Sequence, residues 1–540
     1  MNENIKISKS GKLLMQIRNG ETLSTSEKIY LTAVLSFPAI LAQIVSIVMQ
    51  YIDAAMVGHL GENASASIGL ISTSTWLVGG TSMAAVSGFS IQVAQAIGAK
   101  KYKYARKLMW QSYFIVLGLA LILMLGGLII APVLPKMLGG SEDIVDDAGK
   151  YFMIFSLGLP IVAMSRLAGA MLQASGNMEV PGLLNSLVCI LDIIFNFFFI
   201  FPTDSYKVFG MNITLPGVGL GVMGAAIGTV TAELVVCILM YFFLWGKRSI
   251  LSKKYIGHEI EEDRGEIYDE DFVNVKKISG KDSGYDGDKS DNENIRFFDK
   301  FNKADLRRAW MLAWPIGLEH IAICGAMVVT TVIVAPLGKV AIAANSFAIT
   351  AESLCYMPGY GIGDASATLV GQSIGAGRRG TAYSFGKITI AAGMVIMTLT
   401  GIIMYIAAPY MIGFLTSVKE IRDLGTSVLR IEAFAEPFYA ASIVAAGALR
   451  GAGDTLKPFI MNLVSIWGVR LVLAFTLTGR VGKLFGITSG EGIIGKIFGK
   501  NYGLKGIWIA MCLELCFRGT IFLIRFIRKK WIPNIKKEDL

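Results

Sequence analysis

The chain has 540 residues, of which 54% are hydrophobic and only 17% charged, and its formal net charge is +10. Soluble domains carry roughly 25% charged residues, so this composition excludes a water-soluble globular enzyme and a disordered chain and indicates a polytopic membrane protein. The basic excess does not imply nucleic acid, because most of it falls in loops on one side of the predicted topology.

In chain order, residues 1–28 are a polar tail with no cleavable signal peptide, so the first span acts as its own insertion signal. Six apolar runs follow at 30–57, 64–89, 108–131, 151–172, 182–201 and 217–245. Each approaches the ~20 residues that cross a bilayer as a helix. They define an N-lobe over 29–248. Within it, Gln43, Ser46, Gln50 and Asp53 are spaced 3, 4 and 3 apart and share one face of the first helix. Asn185, Asp192 and Asn196 share a face of the fifth, and Thr229 and Glu233 lie one turn apart in the sixth. An uncompensated carboxylate at membrane depth costs at least ~2.5–3.5 kcal/mol, so Asp53 and Asp192 read as ligands for a hard cation or as a proton site. For Ser46 and Asn185 a hydrogen bond between helices is an equally good account.

The stretch 249–308 breaks the pattern, with Ser279–Asn294 almost devoid of apolar residues, and reads as a solvated linker. Six more runs follow at 310–335, 341–366, 384–409, 428–449, 458–478 and 506–527, giving a C-lobe over 309–528 and a tail over 529–540. The glycine-rich stretch 479–505 contains Gly490-Glu-Gly-Ile-Ile-Gly-Lys496, which mimics a phosphate loop. Ile497 stands where Ser or Thr should hold magnesium and no strand precedes it, so ATP is not expected and an ion gradient must drive any transport.

The two halves repeat at a separation of 277: Pro38 with Pro315, Gln95 with Gln372, Gly98-Ala99 with Gly375-Ala376, Gly176 with Gly453 and Asn185 with Asn462. Six spans per copy return the chain to its starting side, so both copies insert the same way up. The pseudo-twofold axis then runs along the membrane normal, with a cavity between the lobes. Lys100, Lys101, Lys103, Arg106 and Lys107 crowd one loop on the side of the termini, which the positive-inside rule assigns to the cytoplasm of a cell or inner membrane.

The copies differ chemically. The positions 277 after Asp53, Asp192 and Asn196 are Thr330, Val469 and Leu473, so the acid cluster belongs to the N-lobe alone. The C-lobe has its own intramembrane charges, Glu319, His320, Glu352, Glu432, Glu436 and Arg470, some of which are expected to pair internally. His320 matches Gln43 in the repeat, which makes it a candidate cavity residue. The six cysteines are scattered within spans and read as small apolar residues at helix contacts. Three histidines far apart in sequence suggest no catalytic constellation, so no enzyme activity is expected.

Three segments resemble one known family. YIDAAMVGHLGENASASIGL (51–70), ESLCYMPGYGIGDASATLVGQSIGAG (352–377) and GALRGAGDTLKP (447–458) are similar to the first span, the eighth span and the tenth-to-eleventh connection of multidrug and toxic compound extrusion (MATE) transporters. The resemblance implies an all-α membrane protein of twelve helices in two six-helix lobes. It also implies a monomeric antiporter in the lipid bilayer, exporting amphiphilic, often cationic, small molecules in exchange for Na⁺ or H⁺, with no other cofactor. Carried over residue by residue, Asp53 takes the place of the family's first-helix acid and Thr229 that of its sixth-helix hydroxyl. The fifth helix departs: archaeal-type members read Asn then Asp, whereas this chain reads Asp192 then Asn196. The implied coupling residues are therefore Asp53, Asp192, Asn196 and Thr229. The polar stripes and the repeat, rather than the resemblance, give the expected substrate cavity as Gln43, Ser46, Gln50, Asn185 and His320. Ile323 and Tyr439 stand where some members carry C-lobe acids. The alternative is an exporter or flippase of a lipid-linked saccharide, for which a cavity ringed by Arg and Lys is expected.

Overall fold

A computed structural model of the chain describes residues 8–208, 211–247, 249–253, 302–478 and 502–532. Most of the expected linker, the phosphate-loop mimic at 490–496 and the last eight residues lie outside the described residues. Among those described, eleven helices are long and apolar enough to cross a membrane. A short amphipathic helix, α1 (Lys9–Arg18), precedes them. The N-lobe then consists of α2 (Thr25–Gly58), α3 (Glu62–Gly98), α4 (Tyr102–Ile130), the single turn α5 (Leu134–Met137), α6 (Glu142–Ala174), α7 (Glu179–Ile200) and α8 (Val222–Leu244). The C-lobe consists of α9 (Lys303–Val334), α10 (Lys339–Gly375), α11 (Arg379–Leu415), α12 (Lys419–Glu432), α13 (Glu436–Gly451), α14 (Leu456–Leu463), α15 (Leu471–Leu477) and α16 (Gly503–Ile527).

The tenth expected span is therefore present as two helices, α12 and α13, separated by a break at residues 433–435 just before Pro437. Proline lacks the N–H that would continue the helical ladder and clashes with the preceding turn, which accounts for the break. The eleventh carries a π segment, Val464–Arg470, between α14 and α15. One element departs from the all-helical expectation. Between α7 and α8 the chain forms an antiparallel hairpin, β1 (Pro202–Val208) with β2 (Met211–Val218), where a plain connection was expected. The ladder of the hairpin runs from Pro202 with Val218 to Val208 with Met211.

Apolar side chains point outward over much of the bundle, as a lipid-facing surface requires; Phe414 is 91% exposed and Ile129 77%. Inside, α2 packs on α10 and α3 on α9, which ties the lobes together in a twofold manner. Helices α3 and α10 run about nine residues past the apolar spans read from sequence, to Gly98 and Gly375. There they cross. A Cβ on Gly98 would strike the carbonyl of Gln372, and one on Gly375 the carbonyl of Gln95, so only glycine permits the approach. The duplication also sets where helices stop: Gly176 and Gly453 follow α6 and α13 with φ of +92° and +90°. In each case the next residue, Asn177 or Asp454, donates back to the carbonyl of Leu172 or Leu449, closing the helix with a left-handed glycine cap.

Candidate functional site

Three elements bring the N-lobe polar residues together. Asp53 sits in the last turns of α2, Asp192 and Asn196 one turn apart on α7, and Thr229 on α8. The Asn196 side-chain amide donates to Asp53 Oδ1 and to Asp192 Oδ2, each at 2.9 Å. Asp192 and Asn196 are wholly buried, and among the described residues Asp192 Oδ1 and Asn196 Oδ1 have no hydrogen-bond partner. Both positions are acceptor oxygens, so a group that completes the cluster supplies a hydrogen-bond donor or a positive charge. Thr229 Oγ1 donates to the Ala225 carbonyl at 3.1 Å and lies against Asp192. Tyr151 of α6, which the sequence reading missed, is an electrostatic neighbour of both carboxylates. On the facing helix, a Cβ at Gly228 would run into Asn196 Oδ1. Glycine there lets α8 close over α7 at the level of the cluster.

A second feature is a cavity of about 250 Å³ between the lobes. Gln43 and Asn185 line it, and Asn462, the repeat partner of Asn185, lines it from the other lobe. Ser46, Gln50 and His320 are not among its lining residues. Ser46 turns back to the Ala42 carbonyl at 2.9 Å. His320 instead packs over the backbone of Gly80, with Nε2 3.0 Å from the Trp76 carbonyl, and so joins α9 to α3. The cavity's charged groups are Arg166, Glu319, Asp364, Arg450 and Arg518. Arg450 Nη2 meets Glu319 Oε1 at 2.6 Å, and Asn462 donates to the same oxygen at 2.7 Å. Asp364 was not singled out in the sequence, although an acid within an apolar span is the same signal that marked Asp53.

On the side of the bundle where α1 lies, the cavity ends in a seal. Gln95 Nε2 donates to the Gly451 carbonyl at 3.0 Å, and Gln372 Nε2 to the Ala174 carbonyl at 2.8 Å. Donors and acceptors are both separated by 277 residues, so this is one contact made twice. Each glutamine also accepts from an arginine: Arg308 to Gln95 Oε1 at 2.7 Å, and Arg18 to Gln372 Oε1 at 3.3 Å. Arg18 reaches the Ser175 carbonyl at 3.0 Å as well, so α1 straps the two lobes together. Leu13, Leu14 and Ile17 are buried beneath it.

The remaining C-lobe charges fall into two kinds. Glu514 of α16 holds Arg470 at 2.6 Å, Arg518 at 3.2 Å and the Ser465 hydroxyl at 2.6 Å. The pairing with Arg470 is the internal compensation expected there. Glu432 and Glu436 flank the break in the tenth span, and among the described residues their four buried carboxylate oxygens have no hydrogen-bond partner. At the repeat positions of the N-lobe acids, Thr330 bonds its own helix at Ala326, and Val469 lies in the π segment.

Comparison with known proteins agrees with this architecture. The MatE family model matches residues 38–198 and 315–476. A probable multidrug resistance protein, NorM of Thermotoga maritima, is 25% identical over 501 residues, covering 92% of each chain. A solved MATE structure in its straight conformation superposes with a TM-score of 0.75 at 17% identity, over 97% of this chain and all of that one. A MOP superfamily transporter from Pyrococcus furiosus gives 0.76 at 16% identity, over 98% of this chain and 100% of its own.

Proposed function

The chain belongs to the MatE family and is a multi-pass multidrug efflux transporter; on that premise we propose that it is a secondary antiporter driven by Na⁺ or H⁺ entering the N-lobe cluster. The observation that carries the reading is the convergence of Asp53 and Asp192 on a single amide, Asn196, with two acceptor oxygens left over. A buried carboxylate pair is costly without a counter-charge, and removal of that cost by a bound cation is the free energy available to shift the lobe between conformers. Asp53, Asp192, Asn196 and Thr229 serve as the coupling group. By linkage, cation binding weakens substrate binding by the same factor that substrate weakens the cation.

The membrane is the cell membrane, with both termini and the glutamine seal on the cytoplasmic side. The conformer described above is then closed to the cytoplasm, and release of Gln95, Gln372 and Arg18 precedes loading of a substrate from within the cell. Exchange of a lipid-linked saccharide is less well supported. Of the three arginines in the cavity, Arg450 and Arg518 are held by Glu319 and Glu514, so no ring of free cations awaits a pyrophosphate. Efflux from proteoliposomes under a Na⁺ gradient alone and a pH gradient alone tests the proposal. At least one gradient drives export by the wild type and neither does so for Asp53→Asn. Undiminished export by a well-folded Asp53→Asn protein would overturn it.

A further inference from the structure

Away from the cavity, three lysines converge where the first turns of α11 meet the end of α16 and the start of α2. Lys387 Nζ and Lys529 Nζ lie over the same ring, that of Tyr383, at 5.9 Å and 4.6 Å from its centroid. Lys28 reaches across from the N-lobe and donates to the hydroxyl of the next residue, Ser384, at 3.3 Å. Among the described residues, none of the three lysines pairs with a carboxylate. The platform they share is well packed: Tyr383 stacks on the buried Phe526 and Phe526 on the buried Trp531, each pair at 5.2 Å. Lys529 lies just past the end of α16 with φ of +56°, a left-handed position that glycine usually fills after a helix. Backbone outliers of this kind carry a conformational cost and cluster at binding sites. All three lysines also sit at the edge of the apolar layer. Lys28 falls two residues before the first span, Lys529 two after the last, and Lys387 in the first turn of the ninth. At that level an ammonium meets phospholipid headgroups. From Lys387 an apolar lane runs on into the bilayer, since Ala391, Val395 and Leu399 follow at intervals of four along one side of the helix and all are exposed.

From this arrangement we infer that the seam between α2 and α11 binds an anionic phospholipid, its phosphate held by Lys28, Lys387 and Lys529 and an acyl chain lying along Ala391, Val395 and Leu399. One phosphate supplies several acceptor oxygens to ammonium groups that have no carboxylate. It also offsets the mutual repulsion of like charges gathered at one ring. A zwitterionic headgroup brings a cation of its own into the same place, so the site favours a lipid of net negative charge. A soluble phosphate ester lacks the chain that covers the apolar lane. Lys28 belongs to the N-lobe and the other two lysines to the C-lobe, so the bound headgroup spans the seam between the lobes.

Native mass spectrometry of the purified, delipidated full-length protein in detergent tests this with dioleoyl phosphatidylglycerol, dioleoyl phosphatidylcholine and glycerol 3-phosphate. The wild type binds phosphatidylglycerol about ten-fold more tightly than phosphatidylcholine. The triple variant Lys28→Gln/Lys387→Gln/Lys529→Gln loses that preference while its binding of phosphatidylcholine, which reports the folded protein, is unchanged. Lys387→Gln alone, at an exposed side chain, weakens phosphatidylglycerol by about three-fold, and replacement of all three lysines by arginine keeps the wild-type preference. A control, Lys100→Gln/Lys103→Gln/Lys107→Gln, removes the same charge from another loop on that side of the bundle and leaves phosphatidylglycerol binding as it was. Equal binding of the two lipids by the wild type, or an unaltered preference in the first triple variant, would overturn the inference. Equal losses in the two glutamine triples would replace it with diffuse attraction to a basic surface. Displacement of phosphatidylglycerol by an equimolar amount of glycerol 3-phosphate would replace it with a site for a soluble phosphate.

Discussion

Gln95 and Gln372 lie 277 residues apart, and each crosses the lobe interface to the backbone carbonyl that is the other's mirror image, Gly451 for one and Ala174 for the other. The seal is thus a pair of equivalent bonds about the pseudo-twofold axis, reinforced by two arginines from unrelated places, Arg18 and Arg308. Loss of the Gln372 side chain takes one of two partners from the buried Arg18, and loss of the Gln95 side chain takes one from the half-buried Arg308; an unsatisfied buried polar group costs ~1–3 kcal/mol.

Gln372→Ala should therefore shift the transporter toward the conformer open on the α1 side, and Gln95→Ala should do the same. In a background lacking the native cysteines, Ser90→Cys, which lines the cavity just above the seal, reports the shift. Labelling by a membrane-impermeant maleimide from that side should rise several-fold in each variant and further in the double. Labelling that does not change would show that other contacts hold the seal.

Gly228→Ala tests the geometry of the acid cluster without altering any polar group. The added methyl meets Asn196 Oδ1, so the amide that bridges Asp53 and Asp192 must move. Overpacking of this kind costs ~1–3 kcal/mol. Expression should persist, whereas the cation concentration for half-maximal transport should rise at least several-fold. A wild-type cation dependence would mean that the Asn196 bridge is not needed for coupling.

Asn196→Leu removes the shared donor and leaves two carboxylates facing each other. Coupled efflux should fall to background, and Asn196→Asp should restore part of it at low pH, where an added proton can take the place of the amide hydrogen. Equal activity of the two variants across pH would argue against bridging as the role of this residue.

In the C-lobe, Glu514→Gln and Glu432→Gln should differ in stability. The first breaks the ion pairs with Arg470 and Arg518, and loss of one partner from a buried ionic network costs ~3–5 kcal/mol. The second removes no observed hydrogen bond and should leave the melting temperature unchanged or higher. Thermal unfolding in one detergent compares them. A greater loss for Glu432→Gln would reveal a partner that the carboxylate oxygens do not display here.

Sequence made the lobes legible because a bilayer imposes a simple rule, a long apolar helix, and because duplication repeats each mark at a fixed spacing. The faces of α2 and α7 followed from helical periodicity, and the structure brings Asp53, Asp192 and Asn196 into one bonded group. His320 escaped because a position equivalent to Gln43 in the repeat need not keep its neighbours; the ring found the bare backbone of Gly80 instead. Arg18 escaped for a different reason. Its partners lie more than 150 residues away, and nothing in a ten-residue amphipathic helix identifies what it will straddle. The π segment was invisible too, since an extra residue in a helical turn leaves no compositional mark.

The mirrored glutamine contact carries a further consequence for the chain's history. Had the two lobes remained separate copies of one polypeptide, every substitution at the seal would have been felt twice, as in any symmetric dimer, and every acid placed in one lobe would have appeared in the other. Joined in a single chain, Gln95 and Gln372 are free to be changed one at a time. Position 53 can carry an acid while position 330 carries threonine. That inequality lets one lobe carry ionisable groups that the other does not repeat. Fusion lets one lobe hold an acid cluster while the other keeps threonine, valine and leucine at the same repeat positions.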